Sequence, residues 1–113
     1  MYTQITTPAE ADRIITADEP QWILKHSITC PVSAFAMQEF RRYLAAHPDE
    51  HAAVVIVQHA RPVSNHIAER LGVRHESPQL FLVQAGRVLW DGSHGEVTAE
   101  AMAAARHQAA GRM

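Results

Sequence analysis

A chain of 113 residues, nearly half of them hydrophobic and a fifth charged, has the composition of one globular domain over 1–113. That length is enough to bury a core without metal or disulfide staples. A formal charge of −2, with scattered arginines and Lys25 as the sole lysine, excludes the basic footprint that nucleic acid or an anionic membrane selects.

One cysteine excludes an internal disulfide framework. No apolar run approaches the ~20 residues of a membrane helix. Met1 to Glu19 is polar and acidic, without the apolar core of a signal peptide, so a reducing cytoplasm is the expected setting.

Thr7-Pro8-Ala9-Glu10 reads as an N-cap, a first-turn proline and a capping-box glutamate, opening a helix with Ala11, Ile14 and Ile15 on one face. After a polar break at Ala17 to Pro20, Gln21 to Lys25 reads as a strand. Cys30-Pro31 then stands before Val32, Phe35, Ala36, Phe40, Tyr43 and Leu44, an apolar face at helical spacing that ends at His47-Pro48. Ala52 to Val57 is a short continuous apolar run rich in β-branched residues, the mark of a central strand covered on both faces.

Arg61-Pro62 starts and Gly72 stops a helix carrying Val63, Ile67 and Leu71. Leu80 to Val83 and Arg87 to Trp90 read as strands joined by a short Gln84-Ala85-Gly86 turn. Thr98 caps an alanine-rich helix through about Ala109, and Gly111 to Met113 are expected to fray. The order is strand, helix, strand, helix, strand, strand, helix, with an extra helix in front. The first crossover makes a parallel pair and the hairpin adds antiparallel partners. This predicts an α/β, thioredoxin-like fold: a four-stranded mixed sheet flanked by helices.

Cys30 therefore falls at a strand-to-helix junction. Pro31 is suited to the first helical position, where its missing N–H is no loss. The free N–H groups and positive dipole end of that first turn face the sulfur and favour a thiolate. Ser33 stands where a C-x-x-C motif has its second cysteine, so the thiol cannot close an internal disulfide. Two readings stand for Ser33, a first-turn residue satisfying backbone N–H groups or a donor to the sulfur; Thr29 either caps the helix or donates likewise.

Pro78 precedes the third strand, a position where proline is tolerated. In a thioredoxin-like fold a cis-proline at this point faces the cysteine, and the residue before it, here Ser77, offers its backbone to an extended substrate.

Lys25-His26-Ser27-Ile28-Thr29-Cys30-Pro31-Val32-Ser33, Ala60-Arg61-Pro62-Val63-Ser64-Asn65, His75-Glu76-Ser77-Pro78-Gln79, and Trp90 with Ser93-His94 together resemble the YtxJ-type monothiol bacilliredoxins. The resemblance runs from about Trp22 to Thr98. One departure is Gly95, which follows His94 where the family carries a bulky residue.

The resemblance implies a thiol-disulfide oxidoreductase that removes bacillithiol, or a similar low-molecular-weight thiol, from protein mixed disulfides. Cys30 is the implied nucleophile, supported by Thr29, Pro31 and Ser33. Ser77 and Pro78 border the substrate, and Ser93 and His94 lie where the small thiol's carboxylates would bind. Implied partners are bacillithiolated proteins, bacillithiol itself as co-substrate, and a disulfide reductase for recycling; no bound cofactor or metal is implied.

Eight histidines bring no tight metal-ligand spacing. His26 reads as a packing residue, and His47, His51, His59, His66 and His107 as solvated. Trp22, Trp90 and the phenylalanines are expected in the core. Two other functions remain at this stage. One is an iron–sulfur carrier of the monothiol glutaredoxin kind, against which Cys30-Pro31-Val32-Ser33 replaces the C-G-F-S loop. The other is a non-catalytic peptide-binding module built on the Pro78 groove.

Overall fold

The computed structural model describes residues 1–111. Its elements in chain order are β1 (Thr3–Gln4), α1 (Pro8–Ile15), β2 (Gln21–His26), α2 (Pro31–Ala46), β3 (His51–Ile56), α3 (Arg61–Leu71), β4 (Gln79–Gln84), β5 (Arg87–Ser93), a 3-10 turn (His94–Glu96) and α4 (Ala99–Gly111). The sheet has five strands in the order β1-β3-β2-β4-β5. β2 and β3 run parallel; β4 is antiparallel to both β2 and β5. The connectivity is that of a thioredoxin fold.

The strand count corrects the expected four. β1 is a two-residue edge strand, both residues exposed, held by parallel pairing with Ala53 and Val54 of β3. A polar dipeptide has no hydrophobic period to detect; the open edge of β3 recruits it. The anchor is the next residue, Ile5, buried with its N–H on the Val54 carbonyl at 2.8 Å.

Helix boundaries follow local chemistry. Thr7 caps α1 and Glu10 returns the bond to the Thr7 N–H at 3.0 Å. Gly72 ends α3 at φ 67°, the left-handed conformation that glycine adopts without a Cβ penalty. The Thr98 hydroxyl accepts the Ala101 N–H at 3.1 Å at the start of α4. In the β4–β5 turn Ala85 and Gly86 both have positive φ, and their N–H groups donate to Ala17 and Ile15, pinning the hairpin to the end of α1. The expected fraying of Arg112 and Met113 concerns residues outside those described, while Gly111 is helical.

Two apolar layers sandwich the sheet. Trp22, Leu24, Val54, Leu80 and Leu82 pack against α2 and α4; Ile23, Ala53, Val55, Phe81 and Val83 pack against α1 and α3. Burial on both faces explains the continuous apolar runs of the central strands. Glu50 closes the end of the first layer by accepting from Trp22 Nε1 and Tyr43 Oη, each at 2.7 Å. Among the described residues no helix is long and apolar enough to cross a membrane.

One expectation about the core fails. Ala36, Phe40, Tyr43 and Leu44 are buried, but Val32 and Phe35 of the same apolar stripe are 42% and 49% exposed. Ser33 and Ala36 in the same first turns are fully buried, so α2 is covered there on one side only, and Val32 and Phe35 point away from that side, Phe35 about 100° around the helix from Ala36. Trp90 is half-buried and stacks edge-on to Trp22.

Candidate active site

Cys30 is the N-cap of α2, with extended backbone (φ −107°, ψ 122°) and Pro31 first in the helix. Its own side chain makes no capping bond, and it is partly exposed. The Ser33 backbone N–H, then the Val32 N–H and the Ser33 hydroxyl, are turned toward the sulfur and hold its pKa below that of an ordinary cysteine; partial burial works against them. The sulfur stands where a Ser or Asp N-cap would carry its capping oxygen.

Ser33 is fully buried, and its hydroxyl accepts the Ser27 N–H at 3.3 Å. That leaves its proton for the sulfur. Ser33 thus satisfies a backbone N–H while standing at the first turn beside Cys30.

Thr29 is placed differently. It does not cap α2; Gln58 Nε2 donates to its hydroxyl at 3.3 Å. The same amide nitrogen donates to Ser27 Oγ at 2.7 Å, and Gln58 Oε1 accepts the Ile28 N–H at 3.2 Å. Gln58 thus clamps the turn leading to Cys30 from the far end of β3. It is a residue the sequence reading missed, since nothing in a Val-Gln-His stretch signals a contact thirty positions away.

The Ser77–Pro78 peptide bond is cis. Lys25 pairs with Gln79 across β2 and β4, so the turn carrying Cys30 and the turn carrying Pro78 leave the same end of adjacent strands. The Ser77 hydroxyl is buried without a hydrogen-bond partner, and the β2–β4 ladder starts only at Gln79.

Ser93 pairs with Gln79 on the other side of β4, bringing the end of β5 to the same edge. The Ser93 N–H donates to Glu96 at 2.9 Å and starts the 3-10 turn. His94 has φ 52°, and its N–H donates to the Pro78 carbonyl at 3.0 Å. Its Nε2 lies 3.0 Å from a Glu76 carboxylate oxygen, so the imidazole already faces an acid. That contact is the largest cause of the lowered Glu76 pKa.

His26 sits at the end of β2, its Nδ1 buried without a partner; burial, followed by the nearby Arg41, lowers its pKa. His66, expected solvated, is half-buried with Nε2 2.8 Å from Asp12, which ties α3 to α1. Among the described residues no three His, Cys, Asp or Glu side chains converge as a metal site.

Exposed apolar side chains cluster near Cys30 in the chain. Of the four large hydrophobic residues exposed among those described, Ile28, Val32 and Phe35 lie within five positions of Cys30.

The comparisons with known proteins agree with this geometry. Residues 3–102 match the family model described as monothiol bacilliredoxin BrxC. A solved structure described as a candidate oxidoreductase with a thioredoxin fold is 32% identical, covers 93% of each chain and superposes with a TM-score of 0.86. Two others share the fold at low identity. Thioredoxin from Trypanosoma brucei brucei has 8% identity over 96% of this chain and 90% of its own, TM-score 0.81. Thioredoxin from Malassezia sympodialis has 15% identity over 95% and 90%, TM-score 0.75. The lone cysteine at the head of α2, the Ser33 that stands three residues on, and the family match across most of the chain lead to one assignment: the chain belongs to the monothiol bacilliredoxin family.

Proposed function

We propose that the protein is a thiol-disulfide oxidoreductase that strips a low-molecular-weight thiol, bacillithiol, from protein mixed disulfides in a reducing cytoplasm. The Cys30 thiolate attacks the bacillithiol sulfur of the mixed disulfide. The new bond is Cys30–S–S–bacillithiol, and the protein cysteine leaves as a thiolate. A second bacillithiol thiolate then attacks the adduct, releasing Cys30 and bacillithiol disulfide. The protein thiol has been reduced at the expense of one free bacillithiol, which ends in bacillithiol disulfide with the one taken from the protein, so a disulfide reductase is needed to return the pool.

The observation that carries this reading is the sulfur itself: partly exposed, its pKa lowered by two first-turn N–H groups and one hydroxyl turned toward it, with a serine where a resolving cysteine would be. A lowered thiol pKa raises the thiolate fraction and improves the leaving group in the second step. The exposed apolar side chains of Ile28, Val32 and Phe35, within five positions of Cys30, support a protein, rather than a small molecule alone, as one half of the substrate. Ser77 offers its free backbone to that protein segment. Ser93 and His94 face the small thiol, whose malate carboxylates compete with Glu76 for the His94 imidazole.

Mass spectrometry after incubation with oxidised bacillithiol, and separately with oxidised glutathione, tests the reading. A single adduct on Cys30 forming faster with bacillithiol is expected, slowed in His94→Ala and abolished in Cys30→Ser. Wild-type rates of mixed-disulfide turnover in Cys30→Ser would overturn it, and equal or faster glutathione addition would overturn the choice of thiol.

A further inference from the structure

Lys25 is the only lysine of the chain and is fully buried in the middle of the sheet, flanked in register by Val55 and Gln79. Its Nζ lies 3.2 Å from His75 Nδ1 and 5.8 Å from the centre of the Phe81 ring. Ser64 Oγ, reaching from α3, lies 3.2 Å from the same ring nitrogen. An ammonium has no acceptor to offer, so His75 Nδ1 accepts and the imidazole is neutral with its proton on Nε2. No carboxylate forms a salt bridge with Lys25 among the described residues. A buried ammonium without a counter-ion is an expensive choice for a strand position that an apolar side chain would fill at gain.

What the expense secures is the segment from Arg74 to Gln79. Lys25 and Ser64 hold His75 from β2 and α3. Gln79 Nε2 donates to the Arg74 carbonyl at 2.9 Å, and its Oε1 accepts the Glu76 N–H at 3.2 Å. His94 reaches Glu76 with its ring and the Pro78 carbonyl with its N–H, each at 3.0 Å. Each side chain comes from a different element. Inside this frame, Ser77 keeps a buried hydroxyl with no partner.

We propose that Lys25, acting through His75 together with Ser64, is a positioning residue that fixes the Ser77 backbone for the extended segment of the protein substrate. The proposal rests on the reading of Ser77 as a substrate-bordering residue. Lys25 touches neither substrate nor sulfur; it sets the height and orientation of the ledge that the substrate pairs with, and so governs binding rather than the thiol's reactivity.

The test compares wild type, Lys25→Met and Ser64→Ala on a one-cysteine peptide carried as a bacillithiol mixed disulfide. It is accompanied by alkylation of Cys30 with iodoacetamide and amide hydrogen exchange over 74–79. Lys25→Met is expected to raise KM roughly fivefold, about one hydrogen bond to the substrate, with kcat within about twofold. Alkylation should be unchanged, exchange over 74–79 faster, and Tm no lower than wild type. Ser64→Ala should move KM in the same direction by less, and it decides the matter if Lys25→Met does not fold.

Unchanged KM in the folded variants overturns the proposal, as does slower alkylation, which would make Lys25 a partner of the thiolate. If wild type itself turns over no mixed disulfide, the reading of the function fails separately. Exchange over 74–79 then decides the anchoring alone, faster in Lys25→Met if it holds and unchanged if it does not.

Discussion

At Cys30 the negative charge is held by hydrogen-bond donors rather than by a neighbouring cation: two backbone N–H groups and the Ser33 hydroxyl. Donors fixed in the first turn of a helix need no reorganisation when the thiol ionises, whereas a mobile lysine or arginine would be screened by solvent. Ser33→Ala removes one donor and leaves the two amides. The pH midpoint for iodoacetamide alkylation should rise while staying below that of an unperturbed cysteine, and the rate at neutral pH should fall. A midpoint that does not move would mean that the hydroxyl serves only the Ser27 N–H.

Strand β2 carries a fully buried lysine. Burial lowers the Lys25 pKa from 10.5 to about 8, because the sheet interior disfavours the ammonium. The unfolded chain therefore binds more protons than the folded one between about pH 8 and 10.5, and stability rises with pH across that window. Below about pH 8 the full penalty applies, on the order of 3 kcal/mol. Denaturant midpoints of wild type, measured from pH 7 to 10, should climb relative to those of Lys25→Met, which should start higher and lack the rise. Parallel profiles would place the lysine in a more hydrated environment than β2 provides. A strand that accepts this cost while its neighbours Ile23 and Leu24 are ordinary core residues is one whose end serves the site rather than the sheet.

Over the whole molecule, the sheet gathers three turns at one edge, after β2, before β4 and after β5, and α2 holds its apolar start above them. Ile28, Val32 and Phe35, close to Cys30 in the chain, stay exposed. Phe35→Ser should raise KM for a bacillithiolated protein several-fold, leave the rate with oxidised bacillithiol alone unchanged, and alter Tm little, since the ring is half exposed. A drop in Tm of many degrees would return Phe35 to the core, where periodicity had put it.

That residue marks the boundary between the two sources of information. Local chemistry was readable in one dimension: the capping box of α1, Pro31 and Gly72 at helix ends, most of the period of α2, the doubly buried run of β3, and a cysteine aimed at by free amides. These features depend on residues within a turn or two of one another, so their spacing in the chain is their spacing in space. Whether an apolar stripe meets a partner layer, whether a polar dipeptide finds an open strand edge, and which of Lys25, Gln58, Ser64, His75 and Glu76 touch depend on contacts between distant segments. Only the folded sheet brings those segments to one end, and only there do a buried charge and an unpartnered serine take on meaning together.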